Sequence, residues 1–276
     1  MTKKKTIILV FYGITRSLQH TYQSIFENII QPARIEANTK TYCHFFNQKE
    51  INNPRTAEVG TLNPDEWRLL KPDVFIIDEI NNESENKYID ELSRYGNAWE
   101  DSGESLRNII RQLLSLQRIT RRIQADGGAD LVVFIRPDML IHTKFPFADW
   151  LRSIRPNTVA IPYWQWSGGL NDRLAVCGRQ SYGIVGERLN QATHYCKRYK
   201  KPLHSERLLF FSLKNSTAQI CTTDVRATRI RFNGESANES FEHVKFAKRL
   251  EAFLLCNLWP LLRLSWKNKF EFKWKL

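Results

Sequence analysis

The chain has 276 residues, of which 42% are hydrophobic and 25% charged, values ordinary for a soluble globular protein. Lys and Arg total 41 against 29 Asp and Glu, and the formal net charge of +12 favours nucleic acids, anionic lipid headgroups or phosphorylated small molecules as partners. The five cysteines are scattered without C-x-x-C spacing, which argues against a zinc site or a disulfide framework and fits a reducing compartment. No apolar run approaches the ~20 residues needed to span a bilayer.

The N-terminal part predicts a strand, a loop and a helix. Residues 7–11 are β-branched and apolar, and Tyr12 and Gly13 follow as a turn. Apolar residues then recur at helical spacing from Leu18 to Ile30, so we expect the helix to end at Pro32. The first apolar run is too short for a signal peptide, and we therefore expect a cytoplasmic protein.

Further strands and helices are predicted along the chain. Strands are expected at residues 41–46, 73–78, 131–135 and 159–162, with a polar, Asn-rich loop after residue 46. A polar loop that carries short helices is expected at 80–103, and a long amphipathic helix at 105–123. Alternating helices and continuous apolar strands predict one α/β domain, residues 1–240, with a mostly parallel sheet. Ligands of such sheets bind at the carboxyl ends of the strands, which indicates the loop 12–16 and the residues after Ile135.

The C-terminal extension, residues 241–276, has a different composition. Its last ten residues alternate Lys with Trp and Phe. This pattern is typical of a peripheral membrane contact with anionic lipid, and equally of an edge strand with one buried face. Both interpretations stay open.

The residues that follow the strand at 131–135 are Arg136, Pro137 and Asp138. A carboxylate at the end of a buried strand is costly unless it is paired or bound to a cation. Asp138 is therefore expected either to pair with Arg136 or to hold Mg²⁺ or Mn²⁺ bridging a diphosphate. The residues alone leave both possibilities open.

This strand and its R-P-D sequence resemble the D-x-D region of GT-A glycosyltransferases, most closely a bacterial and viral polysaccharide-biosynthesis group in which the motif is R-P-D. The resemblance implies a Rossmann-like GT-A domain, a nucleotide-sugar donor and a divalent metal, with Asp138 as its ligand. Arg136 occupies the position of the first acid and cannot bind a metal. It is instead a candidate for direct, bidentate contact with the phosphates.

Four other segments carry the same resemblance. Residues 168–175 are similar to a G-x-N-D-R-F-A loop, in which Asn171, Asp172 and Arg173 offer donors and acceptors to the donor sugar. The loop at 11–16 resembles the first-strand loop that holds the nucleotide, which makes Tyr12, Gly13, Thr15 and Arg16 candidate binding residues. The helix at 107–118 resembles the one before the R-P-D strand, where Gln112 and Ser115 are candidate pocket residues. Residues 204–209 resemble a P-E-x-x-L helix start, where Glu206 is either a base or a residue favoured by the helix dipole.

The resemblance implies transfer of a sugar, hexosyl or related, from a nucleotide diphosphate to a hydroxyl of a glycan or lipid-linked acceptor. In an inverting enzyme, Asp172 or Glu206 would take the acceptor proton. Two alternatives are a basic nucleic-acid-binding protein, suggested by the charge but lacking a recognisable motif, and an inactive GT-A-like scaffold, suggested by the missing first acid.

Overall fold

The structure is a computed structural model that describes residues 4–53, 56, 58–80, 82–99, 101–166, 168–239 and 241. Its strands are β1 (Thr6–Gly13), β2 (Asn38–Phe46), β3 (Glu50–Asn53), β4 (Glu58–Thr61), β5 (Val74–Asp78), β6 (Leu131–Ile135), β7 (Met139–Ile141), β8 (Thr158–Pro162), β9 (Leu174–Gly178), β10 (Gln219–Thr223) and β11 (Ala227–Arg229). Its α-helices are α1 (Leu18–Ile25), α2 (Gln31–Glu36), α3 (Asn82–Leu92), α4 (Glu104–Ala125), α5 (Phe147–Ser153), α6 (Tyr182–Gly186), α7 (Ala192–Tyr199) and α8 (Ser205–Lys214). The predicted C-terminal extension lies outside the described residues, apart from residue 241.

A seven-stranded sheet forms the centre, in the order β10-β8-β9-β6-β1-β2-β5. The β1–β2, β1–β6, β2–β5 and β8–β10 pairs are parallel, whereas β9 runs antiparallel to both of its neighbours. This confirms the predicted α/β domain with a mostly parallel central sheet. Because β9 is reversed, its amino end lies at the edge where the other strands have their carboxyl ends.

The sheet is covered on both faces because its strands are apolar on both sides. In β1, Ile7, Leu9 and Phe11 belong to one buried cluster, and Ile8 and Val10 to the other. This is the two-residue alternation of a strand buried on both faces. Leu116 and Ile119 of α4 pack in the second cluster, so the long helix covers the face behind β1 and β6.

The structure differs from the sequence expectations in several places. The first helical region does not end at Pro32, because a π-helical turn (Phe26–Ile30) leads into α2 and proline is tolerated in the first turn of a helix. The polar loop expected after residue 46 instead forms the antiparallel β3–β4 pair. The region 80–103 contains the 11-residue helix α3, in agreement with the helices expected there. Strands β9, β10 and β11 were not predicted, since short segments carry little periodicity.

Candidate active site

The predicted site residues meet at the carboxyl edge of the sheet. Arg136 and Asp138 follow β6, whereas Asn171, Asp172 and Arg173 precede β9. The two groups are neighbours because Ile135 pairs with Leu174 in antiparallel register, and the backbone N–H of Arg136 donates to the carbonyl of Arg173 at 3.1 Å. This edge is where ligands of open α/β sheets bind.

Asp138 is the centre of a buried ion-pair network. Asp138 is only 2% exposed to solvent. Arg136 donates to both carboxylate oxygens, with Nε at 3.0 Å from Oδ1, and Arg16 donates from Nη2 to Oδ2 at 2.7 Å. Burial by itself would raise the pKa of the Asp138 carboxyl, but Arg136 and Arg16 hold it well below its ordinary value. Asp138 is thus a charged carboxylate bound by two guanidinium groups.

A second carboxylate enters this network from the β3–β4 pair. Glu58, at the start of β4, is buried and accepts from Nη1 of Arg16 at 3.3 Å. Arg231 lies 3.7 Å from the same carboxylate, and the backbone N–H of Phe232 donates to Oε1 at 3.2 Å. Residues 231–232 are therefore linked to the network through Glu58.

Gln112 connects this network to Asp172. Its side chain, on α4, accepts from Nη1 of Arg136 at 3.4 Å and donates to Oδ2 of Asp172 at 3.3 Å. Ser205, the first residue of α8, also donates to Oδ2 of Asp172. Burial alone would raise the pKa of the Asp172 carboxyl, but Arg136, Arg188 and Arg173 lower it. A continuous hydrogen-bonded chain therefore runs from Asp138 to α8.

Tyr12, at the end of β1, holds the Asp172 end of this hydrogen-bonded chain in place. Its hydroxyl donates to the carbonyl oxygen of Asp172 at 3.0 Å, and its ring packs edge-on to Phe134. The residue is 2% exposed, so stacking on a nucleotide base would require the ring to leave the core. Burial raises the pKa of the Tyr12 phenol to about 12, which keeps it a neutral donor.

The loop before β9 is shaped by its own side chains. The Asn171 amide donates to the carbonyl of Trp164, and its oxygen accepts the N–H of Arg173, both at 3.0 Å. Arg173 pairs with Glu239 at 3.3 Å and lies over the Trp164 ring. Asn171 is fully buried and fixes the loop, whereas Arg173 extends towards the ion-pair network.

The end of β1 is held by α4. Gly13 has φ +105°, a conformation that L side chains rarely adopt, and its N–H donates to Oγ of Ser115 at 2.8 Å. Nδ1 of His44 lies 2.9 Å from the same hydroxyl, and its Nε2 lies 3.1 Å from Asp78. Thr15 is buried in the loop that follows. Gly13 and Ser115 thereby fix the loop that carries Arg16.

Glu206 lies apart from the two arginine-bound carboxylates. Its carboxylate is 3.0 Å from Nδ1 of His204, whose ring stacks on Trp99. Its carbonyl accepts the N–H of Leu170 at 3.1 Å, which ties the start of α8 to the Gly168–Gly169 loop. The structure therefore places Glu206 beside the Asp172 loop but gives it a histidine, not an arginine, as its neighbour.

The donor set at Asp138 does not fit a divalent cation. Both carboxylate oxygens already accept guanidinium N–H groups. In the part of the chain that the structure describes, no group of three or more His, Cys, Asp or Glu is placed to hold a metal ion. The predicted metal site therefore disagrees with the neighbours that Asp138 has.

Sequence reasoning missed several members of the site. Glu58, Arg229, Arg231 and Glu239 lie in segments without a recognisable motif. Ser205 lies in the segment 204–209, where the resemblance indicated Glu206 instead. Arg229 and Arg231 alternate with apolar residues around β11, a pattern that many edge strands share. Only the pairing of β11 with β7, directly after Asp138, brings these arginines to the site.

Gly169→Ala is expected to disrupt the site. An added Cβ would lie 2.2 Å from the carbonyl carbon and oxygen of Glu206, so the start of α8 would have to move. We expect a lower melting temperature and reduced turnover, because Ser205 would lose its contact with Asp172. The control is Gly183→Ala, whose Cβ would meet only the end of the Gln124 side chain, at 3.2 Å. Equal melting temperatures of the two variants would contradict this prediction.

Stability is expected to decline in acid. The folded-state pKa values of Asp138 and Asp172 lie below the ordinary value of about 3.9. Their contribution to stability is complete above that value and is lost as the pH falls through the lower folded-state values. Urea unfolding from pH 6 to pH 2 should therefore show a falling free energy of unfolding. Asp138→Asn should show a smaller decline, and an unchanged one would contradict the assignment.

No helix among the described residues is both long and apolar enough to cross a bilayer. No protein-family model matches the sequence, and no curated protein matches it.

Among solved structures, the galactosyltransferase LgtC, in complex with donor and acceptor sugar analogues, matches with a TM-score of 0.42 and 8% identity, over 79% of this chain and 73% of that chain. The apo form of mouse xyloside xylosyltransferase 1 matches with a TM-score of 0.40 and 13% identity, over 75% of this chain and 80% of that chain. At these values the likeness concerns the fold alone, and neither activity nor residue roles follow from it.

Proposed function

We propose that this protein transfers a glycosyl group, hexosyl or related, from a nucleoside diphosphate sugar to a hydroxyl of a glycan or glycoconjugate. The observation that carries the proposal is the hydrogen-bonded chain Asp138–Arg136–Gln112–Asp172 at the carboxyl edge of the sheet. It joins the guanidinium groups of Arg136 and Arg16 to the carboxylate of Asp172, around which the amide of Gln112 and the hydroxyl of Ser205 converge. A nucleotide sugar requires both, because its diphosphate is anionic and its sugar is a set of hydroxyls.

The cations have a direct role in this reaction. The bond between the anomeric carbon and the β-phosphate oxygen breaks, a bond from the anomeric carbon to the acceptor oxygen forms, and negative charge develops on the departing diphosphate. Preorganised donors aimed at that charge lower the barrier without reorganising during the step. Arg136 and Arg16, fixed by Asp138, are such donors.

An inverting reaction requires a carboxylate to accept the proton of the acceptor hydroxyl. Asp172 is a weak acceptor, because neighbouring arginines hold its pKa low and Oδ2 already accepts from Ser205 and Gln112. Glu206 lies outside these arginine pairs and its side chain is partly exposed beside His204. We therefore propose Glu206 as the base of an inverting reaction, and Asp172 as the residue that orients the donor sugar.

The nucleoside is proposed to occupy a cavity of about 650 Å³ beside the ends of β2 and β5. Its lining includes Asn47, Gln48, Asn52, Ser102 and Arg111. Amide side chains offer both donors and acceptors, which suits the edge of a base and the hydroxyls of a ribose. The position supports the proposal because β2 is the direct neighbour of β1 in the sheet.

A thermal-shift screen of UDP-, GDP-, dTDP- and CMP-sugars tests the function, followed by a transfer assay with the nucleotide that binds. A ligand that binds only the folded state raises the melting temperature by mass action. We expect a shift with one class of nucleoside diphosphate sugar, a smaller one with the monophosphate CMP-sugars, and glycosyl transfer to glycan or lipid-linked acceptors.

The same screen separates the alternatives. Salt-sensitive binding of generic oligonucleotides without any sugar-nucleotide shift would favour a nucleic-acid-binding protein. Nucleotide-sugar binding without transfer or donor hydrolysis would indicate an inactive scaffold.

A further inference from the structure

We infer that guanidinium groups, rather than a metal ion, bind the diphosphate, and that Arg229 is a donor to it. This inference rests on the proposed function and extends it to residues that the sequence did not single out. We call the five residues Arg16, Arg136, Arg173, Arg229 and Arg231 the arginine cluster. Its members come from the β1 loop, the end of β6, the loop before β9, and the segment around β11.

The arginine cluster carries more positive charge than its protein partners neutralise. Within it, Asp138 pairs with Arg136 and Arg16, Glu58 pairs with Arg16 and Arg231, and Glu239 pairs with Arg173. Five guanidinium groups therefore face three carboxylates. If Asp172 and its further neighbour Arg188 are included, six guanidinium groups face four carboxylates, and the surplus is the same. The surplus of two positive charges fits a ligand with at least two negative charges, such as a diphosphate.

Several N–H groups of the arginine cluster are buried without a hydrogen-bond acceptor among the described residues. They are Nε of Arg16, Nη1 of Arg173 and Nε of Arg229. An unsatisfied buried donor is unfavourable by about 1–3 kcal/mol, and more when it is charged, so several in one cluster require an explanation. Phosphate oxygens are the acceptors that guanidinium groups fit best, since the planar donors bind them in pairs.

Glu58 shows how an anion is held here. Its buried carboxylate accepts from Arg16, lies near Arg231 and accepts the backbone N–H of Phe232. Two guanidinium groups and one amide N–H around an oxyanion are the donor set that binds a phosphate group. Because Glu58 is anionic, it also competes with a ligand for Arg16 and Arg231.

Arg229 is the member whose charge is least compensated. Burial and then the proximity of Arg136 lower the pKa of its guanidinium to about 10, although Asp138 partly offsets them. No ion pair of Arg229 is present among the described residues, whereas the other four members each have at least one. A bound dianion beside Arg229 would supply the missing counter-charge.

The test is calorimetric binding of inorganic pyrophosphate and of UDP, GDP and dTDP to the full-length protein, in excess EDTA and again with Mn²⁺. We expect binding in EDTA, with Mn²⁺ changing the affinity less than about twofold.

Arg229→Ala and Arg229→Gln should each weaken binding about 10- to 100-fold, because each removes one charge-assisted hydrogen bond. Glu58→Gln should strengthen it about fivefold by removing a competing charge. The exposed Arg34→Ala is the matched control and should bind like the wild type.

The outcomes separate this inference from the proposed function. Binding that requires Mn²⁺, or Arg229 variants that bind as well as Arg34→Ala, would overturn the arginine site while leaving a transferase possible. Pyrophosphate binding in EDTA without binding of any nucleotide would support the arginine site and count against the nucleotide-sugar function. No binding of either probe would overturn both.

The melting temperatures of the unliganded variants check folding. The melting temperature of Arg229→Ala should not be lower than that of the wild type, because this substitution removes an uncompensated charge.

Discussion

Asp138→Ala is expected to lower the free energy of unfolding by about 3–5 kcal/mol, the typical effect of removing one partner from a buried ion pair. Its side chain is 3% exposed and is the shared acceptor for Arg136 and Arg16. Without it, the guanidinium groups of Arg16 and Arg136 lose the carboxylate they share, and only Glu58, beside Arg16, and Asp172, linked to Arg136 through Gln112, compensate their charge. Urea unfolding at pH 7 measures the change. Turnover should also be lost, because the arginines would no longer be fixed.

The matched control is Asp149→Ala. Asp149 also pairs with an arginine, Arg152, but its side chain is 68% exposed. Exposed pairs of this kind contribute at most about 1 kcal/mol. If both alanine variants unfold at the same urea concentration, Asp138 does not have the structural role that its contacts indicate. Full activity in a folded Asp138→Ala variant would reject its place in the site.

Arg136→Ala is expected to reduce kcat by about 10²–10³-fold, the usual effect of removing one preorganised donor from a site where charge develops. The fold should persist, because Arg16 still neutralises Asp138 from the other side. Steady-state and single-turnover kinetics with the donor identified by the thermal-shift screen measure the effect. The reduction should appear mainly in kcat if Arg136 contacts the diphosphate more strongly in the transition state.

Arg136→Lys distinguishes charge from geometry. Lysine keeps the positive charge but lacks the planar pair of parallel N–H groups with which arginine binds a carboxylate or a phosphate. We expect it to recover only part of the lost turnover. A lysine variant with wild-type kinetics would mean that charge alone suffices, and an alanine variant with wild-type kinetics would remove Arg136 from the mechanism.

Much of the fold could be predicted because its signals are local. The strand at 131–135 is a continuous apolar run, and the helix at 105–123 has its apolar residues on one face; both are found as β6 and α4 with ends within two residues. Ligands of open α/β sheets bind at the carboxyl ends of the strands, and this general rule predicted that Arg16, Arg136 and Asp138 lie in one region. The helix after Leu18 was predicted to end too early, because Pro32 falls in the first turn of α2.

The sequence by itself determined the class of sheet, the edge at which the candidate site lies and the anionic character of the expected ligand, because these follow from strand periodicity and residue chemistry. Only the tertiary structure decided what Asp138 binds. Whether a carboxylate holds a metal or an arginine depends on which side chains the folded chain brings within about 3 Å. Glu58, Arg229 and Glu239 are distant in sequence from Asp138, and they join its network through the β3–β4 pair, the β7–β11 pairing and the reversed strand β9. Ion pairs between distant segments leave no periodic signal in a sequence, so the arginine cluster becomes visible only in the folded protein.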